Sequence, residues 1–83
     1  MTLYEHYDLH LRTDRNYRTA QIRHAVRKVY REAGYLLKEI QYLEGKETGI
    51  TPDHSTVIHS CRNADPKLVA VAQKTAKALR LFR

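Results

Sequence analysis

The sequence predicts an all-α domain, a compact bundle of about five helices that includes a helix-turn-helix with a long turn. Three observations carry this prediction. Apolar residues recur at helical spacing, best at Ile22, Ala25, Val26, Val29, Tyr30 and Ala33, which stand at offsets 0, 3, 4, 7, 8 and 11. Proline, glycine and short polar residues punctuate the chain where helices must start and stop. No segment alternates convincingly enough for a strand, the one minor rival being the neighbourhood of Leu9 and Leu11. At 83 residues the chain is one small domain, burying roughly 60–65% of its unfolded surface.

Each element has its own signal. Thr2 and Glu5 have capping-box spacing, and Leu3, Tyr7 and Leu11 share a face, which predicts a first helix from about residue 2 to residue 11. From Arg12 to Arg18, Thr, Asp and Asn stand between three arginines and break the period, so this stretch reads as a basic loop. The run from Ile22 to Ala33 is the second helix, with Arg23, Arg27, Lys28 and Arg31 opposite its apolar side and Gly34 as the C′ residue that ends it. Leu36, Leu37, Ile40 and Leu43 predict a shorter third helix stopping near Gly45, followed by a loop to Pro52 with Gly49 as a second breaker. Thr51 suits an N-cap and Pro52 a first helical position for the fourth helix, whose apolar stripe is Val57, Ile58 and Cys61. Asp65 and Pro66 cap and start the last helix. Leu68, Val71, Ala72, Thr75, Leu79 and Phe82 form its apolar face, while Lys67, Lys74, Lys77 and Arg80 lie mostly elsewhere. The third helix, turn and fourth helix make the helix-turn-helix, from about residue 36 to 63.

The charge is unevenly placed. Residues 12–31 hold seven Lys or Arg and one acid, an excess that equals the whole chain's net charge of +6. A basic excess confined to a quarter of the chain points to a polyanionic partner, against the alternative of a solvated helix face. An acidic membrane surface fits less well, because a lipid-binding helix needs a free bulky apolar face and this one is committed to a core. No apolar run approaches the ~18 residues that span a bilayer. The N-terminus has neither an apolar h-region nor a cleavage site, so a cytoplasmic protein is expected. Cys61 is the single cysteine, which excludes an internal disulfide. Its place on an apolar stripe favours a buried thiol in a reducing compartment.

Several chemistries fail on spacing. A phosphate-binding loop around Gly45-Lys46 would need glycine at position 40 and Ser or Thr at 47, where the chain has Ile40 and Glu47. His54 and His59 point roughly 140° apart on a helix, and His59 and Cys61 also diverge, so no zinc site is expected. Cys61 belongs to an apolar stripe, which argues against a nucleophile. His6, His10 and His24 have no spacing that calls for more than surface placement or partial burial. The six tyrosines fall at core or rim positions and are not interleaved with bases as single-strand stacking platforms would be. No acid, base and nucleophile converge, so neither an enzyme nor a cofactor is expected.

The fourth helix carries the most specific signal. Beside its apolar stripe, the stretch Asp53-His54-Ser55-Thr56-Val57-Ile58-His59-Ser60-Cys61-Arg62 leaves a carboxylate, an imidazole and two hydroxyls in its first turn. Such short, varied donors and acceptors can read base edges in a major groove, though an ordinary amphipathic helix with a polar start would look similar. These ten residues closely resemble the recognition-helix signature of the C-terminal DNA-binding domain of DnaA, the bacterial replication initiator. The resemblance runs from about Leu3 to Arg62 and is strong around Asp53 to Arg62. It implies a helical module related to the Trp-repressor fold, with the recognition helix in the major groove and an arginine in the neighbouring minor groove. Carried over residue by residue, it implies that Asp53, His54 and Ser55 face bases and that Thr56 holds a phosphate, which His54 touches as well. Gln21 matches a backbone-contacting glutamine, Lys28 a phosphate-binding lysine, and Arg12, nine residues before Gln21, the minor-groove arginine. Arg15 and Arg18 are expected on phosphates as part of the basic loop. Lys38 is placed there too, standing where the family has a DNA-contacting proline.

The pattern also departs from the family. Ile50-Thr51-Pro52 replaces Gly-Gly-Arg before Asp53, Ala20 replaces a phosphate-contacting arginine, and the span from Ile40 to Asp53 is about five residues longer. These departures bear on the target sequence more than on DNA binding. The family's nucleotide-binding and oligomerisation domains have no counterpart in this chain, so no ATP is expected. The sequence therefore predicts a stand-alone, sequence-selective binder of double-stranded DNA in replication control or transcription, with a protein partner in the replication machinery as a further expectation. The rivals are a protein-interaction module on the same fold and a non-specific nucleic-acid-binding protein.

Overall fold

A computed structural model of the protein describes residues 1–9 and 16–82. Among these residues there are five helices and no strand: α1 (Leu3–His6), α2 (Tyr17–Glu32), α3 (Leu37–Thr48), α4 (His54–Asn63) and α5 (Pro66–Ala78). The long α2 is the central strut and packs most extensively against α4 and α5, while α3 packs on α4 and α1.

Helix α1 begins as expected, with the Thr2 hydroxyl accepting from the Glu5 N–H at 3.2 Å. It stops at His6, well short of residue 11, because Asp8 turns the backbone into the left-handed region at φ 56°. Aspartate tolerates that conformation better than most residues. Leu9 beyond the turn is buried, and His10 and Leu11 lie outside the described residues. Helix α2 starts earlier than expected. The Asn16 side chain accepts from the Arg18 N–H at 2.8 Å and caps it, so Tyr17 and Arg18 are helical and not part of the basic loop. The other arginines of that loop, Arg12 and Arg15, lie outside the described residues. Gly34, at φ 101°, ends α2 as expected, and the Tyr35 N–H turns back to the Tyr30 carbonyl at 3.1 Å.

Helix α3 does not stop at Gly45 but continues to Thr48, with Gly49 at φ 81° as its left-handed cap. Gly45 serves a close approach: a Cβ there would run into the Thr51 hydroxyl. Leu36, expected on the apolar stripe, is instead the half-exposed N-cap, its N–H bonded to Glu39 Oε1 at 2.8 Å. The turn to α4 is thus the five residues from Gly49 to Asp53. Gln41 Nε2 donates to the Pro52 carbonyl at 3.0 Å, and the Thr48 hydroxyl accepts from the Ile50 N–H at 3.3 Å, so the turn is fastened to α3 at both ends.

The start of α4 also differs from expectation. Asp53 is the N-cap, while Thr51 packs against Gly45 and buried Pro52 precedes the helix. Proline fits because its carbonyl is used and its missing N–H is not needed. Helix α5 begins as predicted, Asp65 Oδ1 accepting from the Lys67 N–H at 2.9 Å with Pro66 in the first turn. Its buried face is Val69, Ala72 and Ala76, whereas Val71 is 54% exposed. Small side chains at 72 and 76 let α5 approach α2 closely, which shifts the helix face away from Val71.

The core joins Leu3, Tyr4, Leu9, Val26, Val29, Ile40 and Val57. Tyr30 is its aromatic hub, with Tyr4 stacked at 5.9 Å and the edges of Tyr35 and Phe82 at 5.0 and 5.5 Å. Its hydroxyl accepts from the Leu3 N–H at 3.1 Å, which ties the N-terminus to α2. Tyr17 and Tyr42, expected at core or rim, are 79% and 73% exposed.

Candidate functional site

The ten-residue signature folds as a helix with two unlike sides. Val57 and Ser60 are fully buried, while Asp53, His54, Ser55, His59 and Arg62 are exposed and Thr56 is half-buried. The 3.6-residue period explains this split, since 57, 60 and 64 follow one another along one face. Asp53 makes no side-chain cap bond, and Asp53, His54 and Ser55 are all exposed to solvent. Cys61 is half-buried, less than its stripe suggested. Burial pushes its thiol pKa up, and nearby Arg31 and Lys28 pull against that shift.

Of the other expected contacts, Arg18 on α2 and Lys38 on α3 are exposed, while Gln21 and Lys28 on α2 are half-buried. Lys28 and Arg31 stand on α2, the helix that packs most extensively against α4 and α5. Arg12 and Arg15 lie outside the described residues.

Arg27, expected on the solvent side of α2, is only 7% exposed. Its guanidinium donates from Nε to Glu44 Oε1 at 2.8 Å and from Nη2 to Glu44 Oε2 at 2.6 Å, a two-pronged ion pair between α2 and α3. Its Nη1 donates to Ser60 Oγ on α4 at 2.9 Å. Tyr4 on α1 donates its hydroxyl to Glu44 Oε1 at 2.8 Å. Burial opposes the Arg27 charge, but the Glu44 carboxylate outweighs it and holds the pKa above the ordinary arginine value. Burial and the Glu44 carboxylate push the Tyr4 phenol far up, and burial pushes Tyr30 up to about 12.

His24 completes this network. Its Nδ1 lies 2.6 Å from Ser60 Oγ. That oxygen also accepts from Arg27 Nη1, so the Ser60 hydroxyl joins both α2 side chains. Burial holds the ring's pKa below the usual histidine value, with Arg27, His59 and Arg23 adding to the effect and Glu44 opposing it. The His59 ring meets the His24 ring edge-on at 5.8 Å. The sequence held one trace of the network, Glu44 standing four residues after Ile40 on the buried side of α3.

Among the described residues, no three His, Cys, Asp or Glu side chains gather as metal ligands, and no helix is long and apolar enough to cross a membrane. Compared with protein-family models, curated proteins and solved structures, the chain matches none.

Proposed function

We propose that the chain is a sequence-selective, double-stranded DNA-binding domain of the type found at the C-terminus of DnaA, using α3, the turn and α4 as a helix-turn-helix. The observation that carries this reading is the first turn of α4. Asp53, His54 and Ser55 stand exposed on a helix whose other side, Val57 and Ser60, is locked into the core. Short polar side chains reach base edges only from a helix that enters the major groove closely, and a rigid helix is the element that can do so. Arg18, Gln21, Lys28, Lys38 and Thr56 would hold phosphates, as would Arg15, while Arg12 would serve the minor groove. Because Arg27 is spent on Glu44, the phosphate-binding role falls on the other cations of residues 12–31. The reading assigns the chain no catalytic role. Control of replication or of transcription is the biological setting it suggests, at the nucleoid.

Selection of duplexes from a random pool at two salt concentrations tests the proposal. A preferred sequence should emerge, with log affinity falling by about 0.9 per phosphate neutralised for each unit of log salt. A pool that enriches nothing would refute it. A second reading, a protein-interaction module on this fold, is favoured by apolar side chains on α3 and the turn: Leu36, Tyr42 and Ile50 are 51%, 73% and 64% exposed.

A further inference from the structure

We infer that Arg27, Glu44 and Ser60 are positioning residues, which fix the angle of α4 against α2 and α3 and thereby the placement of Asp53, His54 and Ser55. The inference rests on the DNA-binding reading above. Its ground is geometric. One planar guanidinium reaches two helices at once, holding Glu44 of α3 by two bonds and Ser60 of α4 by a third. Tyr4 orients the same carboxylate from α1, and His24 Nδ1 of α2 stands 2.6 Å from Ser60 Oγ. All four helices therefore meet in one chain of directional bonds, and no buried side-chain polar atom among the described residues lacks a partner.

Direction is what this network adds. Apolar burial is non-directional and lets one helix slide or roll on another at little cost. A buried ion pair adds little stability beyond what apolar side chains of similar volume would give, and fixing a register is its best-supported use. The fork geometry of Arg27 tolerates neither a roll of α4 nor a slide along it without breaking the bond to Ser60. Ser60 is five residues after Ser55, about 7.5 Å along the helix. A small rotation at Ser60 therefore moves the first turn by an amount that matters, since recognition needs placement within ~0.5 Å. The His59 ring of α4 meets the His24 ring edge-on at 5.8 Å, a further contact between α2 and α4.

The test uses the Ser60→Ala protein, which keeps the Arg27–Glu44 pair and cuts only the α4 end. Its discrimination between the selected duplex and a scrambled one should fall at least about tenfold, while affinity for the scramble stays within about twofold. Amide residual dipolar couplings of the free protein should show α4 rotated against α2. Should Ser60→Ala fail to fold, Arg27→Met with Glu44→Met replaces it, an apolar swap expected to keep the fold and lose discrimination. A folded variant with wild-type discrimination overturns the inference, as does equal loss on both duplexes. If the wild-type protein selects no sequence, the DNA-binding reading fails by itself. The dipolar couplings then decide the positioning role, and an unchanged α4 angle overturns it.

Discussion

Arg27 is the residue whose environment most constrains its neighbours. Truncating it to alanine would leave the Glu44 carboxylate buried with the Tyr4 hydroxyl as its remaining side-chain partner among the described residues. Arg27→Ala is therefore expected to destabilise by ~3–5 kcal/mol in urea unfolding, whereas loss of an exposed cation such as Lys38 should cost little. A cost under ~1 kcal/mol would mean that the pair is hydrated in solution. His24 gives a prediction in pH. Its pKa is lowered in the folded state, so the unfolded chain binds the proton more tightly. Its contribution to stability is then complete above the ordinary histidine value, and it is lost as pH falls from there through the lowered folded value. His24→Gln keeps a polar group near Ser60 but cannot take up that proton. The fall in stability between about pH 7 and pH 5 should be shallower in the variant, and an equal slope would assign the proton to another group. Neither feature was legible in the sequence. An arginine on the polar side of a periodic helix reads as solvent-facing until the third helix brings a carboxylate to it, and that contact depends on tertiary packing alone.

At the scale of elements, local chemistry was legible wherever the signal was local. Gly34 and the Asp65-Pro66 start do what their types dictate, and Asp65→Ala should cost ~1 kcal/mol through the lost cap. Boundaries failed where distant residues decide them. Gly45 reads as a helix stop, yet helix α3 passes through it, because Thr51 closes against that position from the turn. The two residues should therefore be coupled. Gly45→Ala gains up to ~1 kcal/mol of helix propensity, but its new methyl displaces Thr51 and should cost ~1–3 kcal/mol. In a Thr51→Ala background the same change should become neutral or stabilising, a sign reversal that a double-mutant cycle reads directly. Additive effects would show that the turn yields freely. Helix α5 was placed correctly and its face nearly so: Leu68, Ala72, Thr75, Leu79 and Phe82 are buried or half-buried, while Val71 is exposed and Ala76 is buried in its stead. The ten residues of the α4 signature were legible as one helical stretch, though the cap moved from Thr51 to Asp53 and Ser60 is buried more deeply than Cys61.

For the whole molecule, the proposed DNA binding would divide affinity and selectivity between two groups of residues in the 83-residue chain. The two contact classes stand on different supports. Arg18 and Lys28 are carried by α2, and long cations hold phosphates without close approach to the bases. His54 and Ser55 are short, exposed and set at the start of α4, so on that proposal they would touch bases only with the helix seated in the groove. Mutation should separate the two. Lys28→Ala should weaken every duplex about equally and lower the salt slope by roughly one. An unchanged slope would take Lys28 out of the interface. His54→Ala combined with Ser55→Ala should cost ~2–6 kcal/mol on the selected duplex and little on a scramble. Binding that survives should keep its salt dependence, because the cations of residues 12–31 are untouched. The double variant should also keep its stability, since neither side chain is buried and neither makes a hydrogen bond that α4 needs. A loss of affinity with an unchanged melting curve thus belongs to the interface and not to the fold. Equal loss on both duplexes would mean that the first turn of α4 contributes charge and shape but reads no bases, and the domain would then be a non-specific nucleic-acid binder.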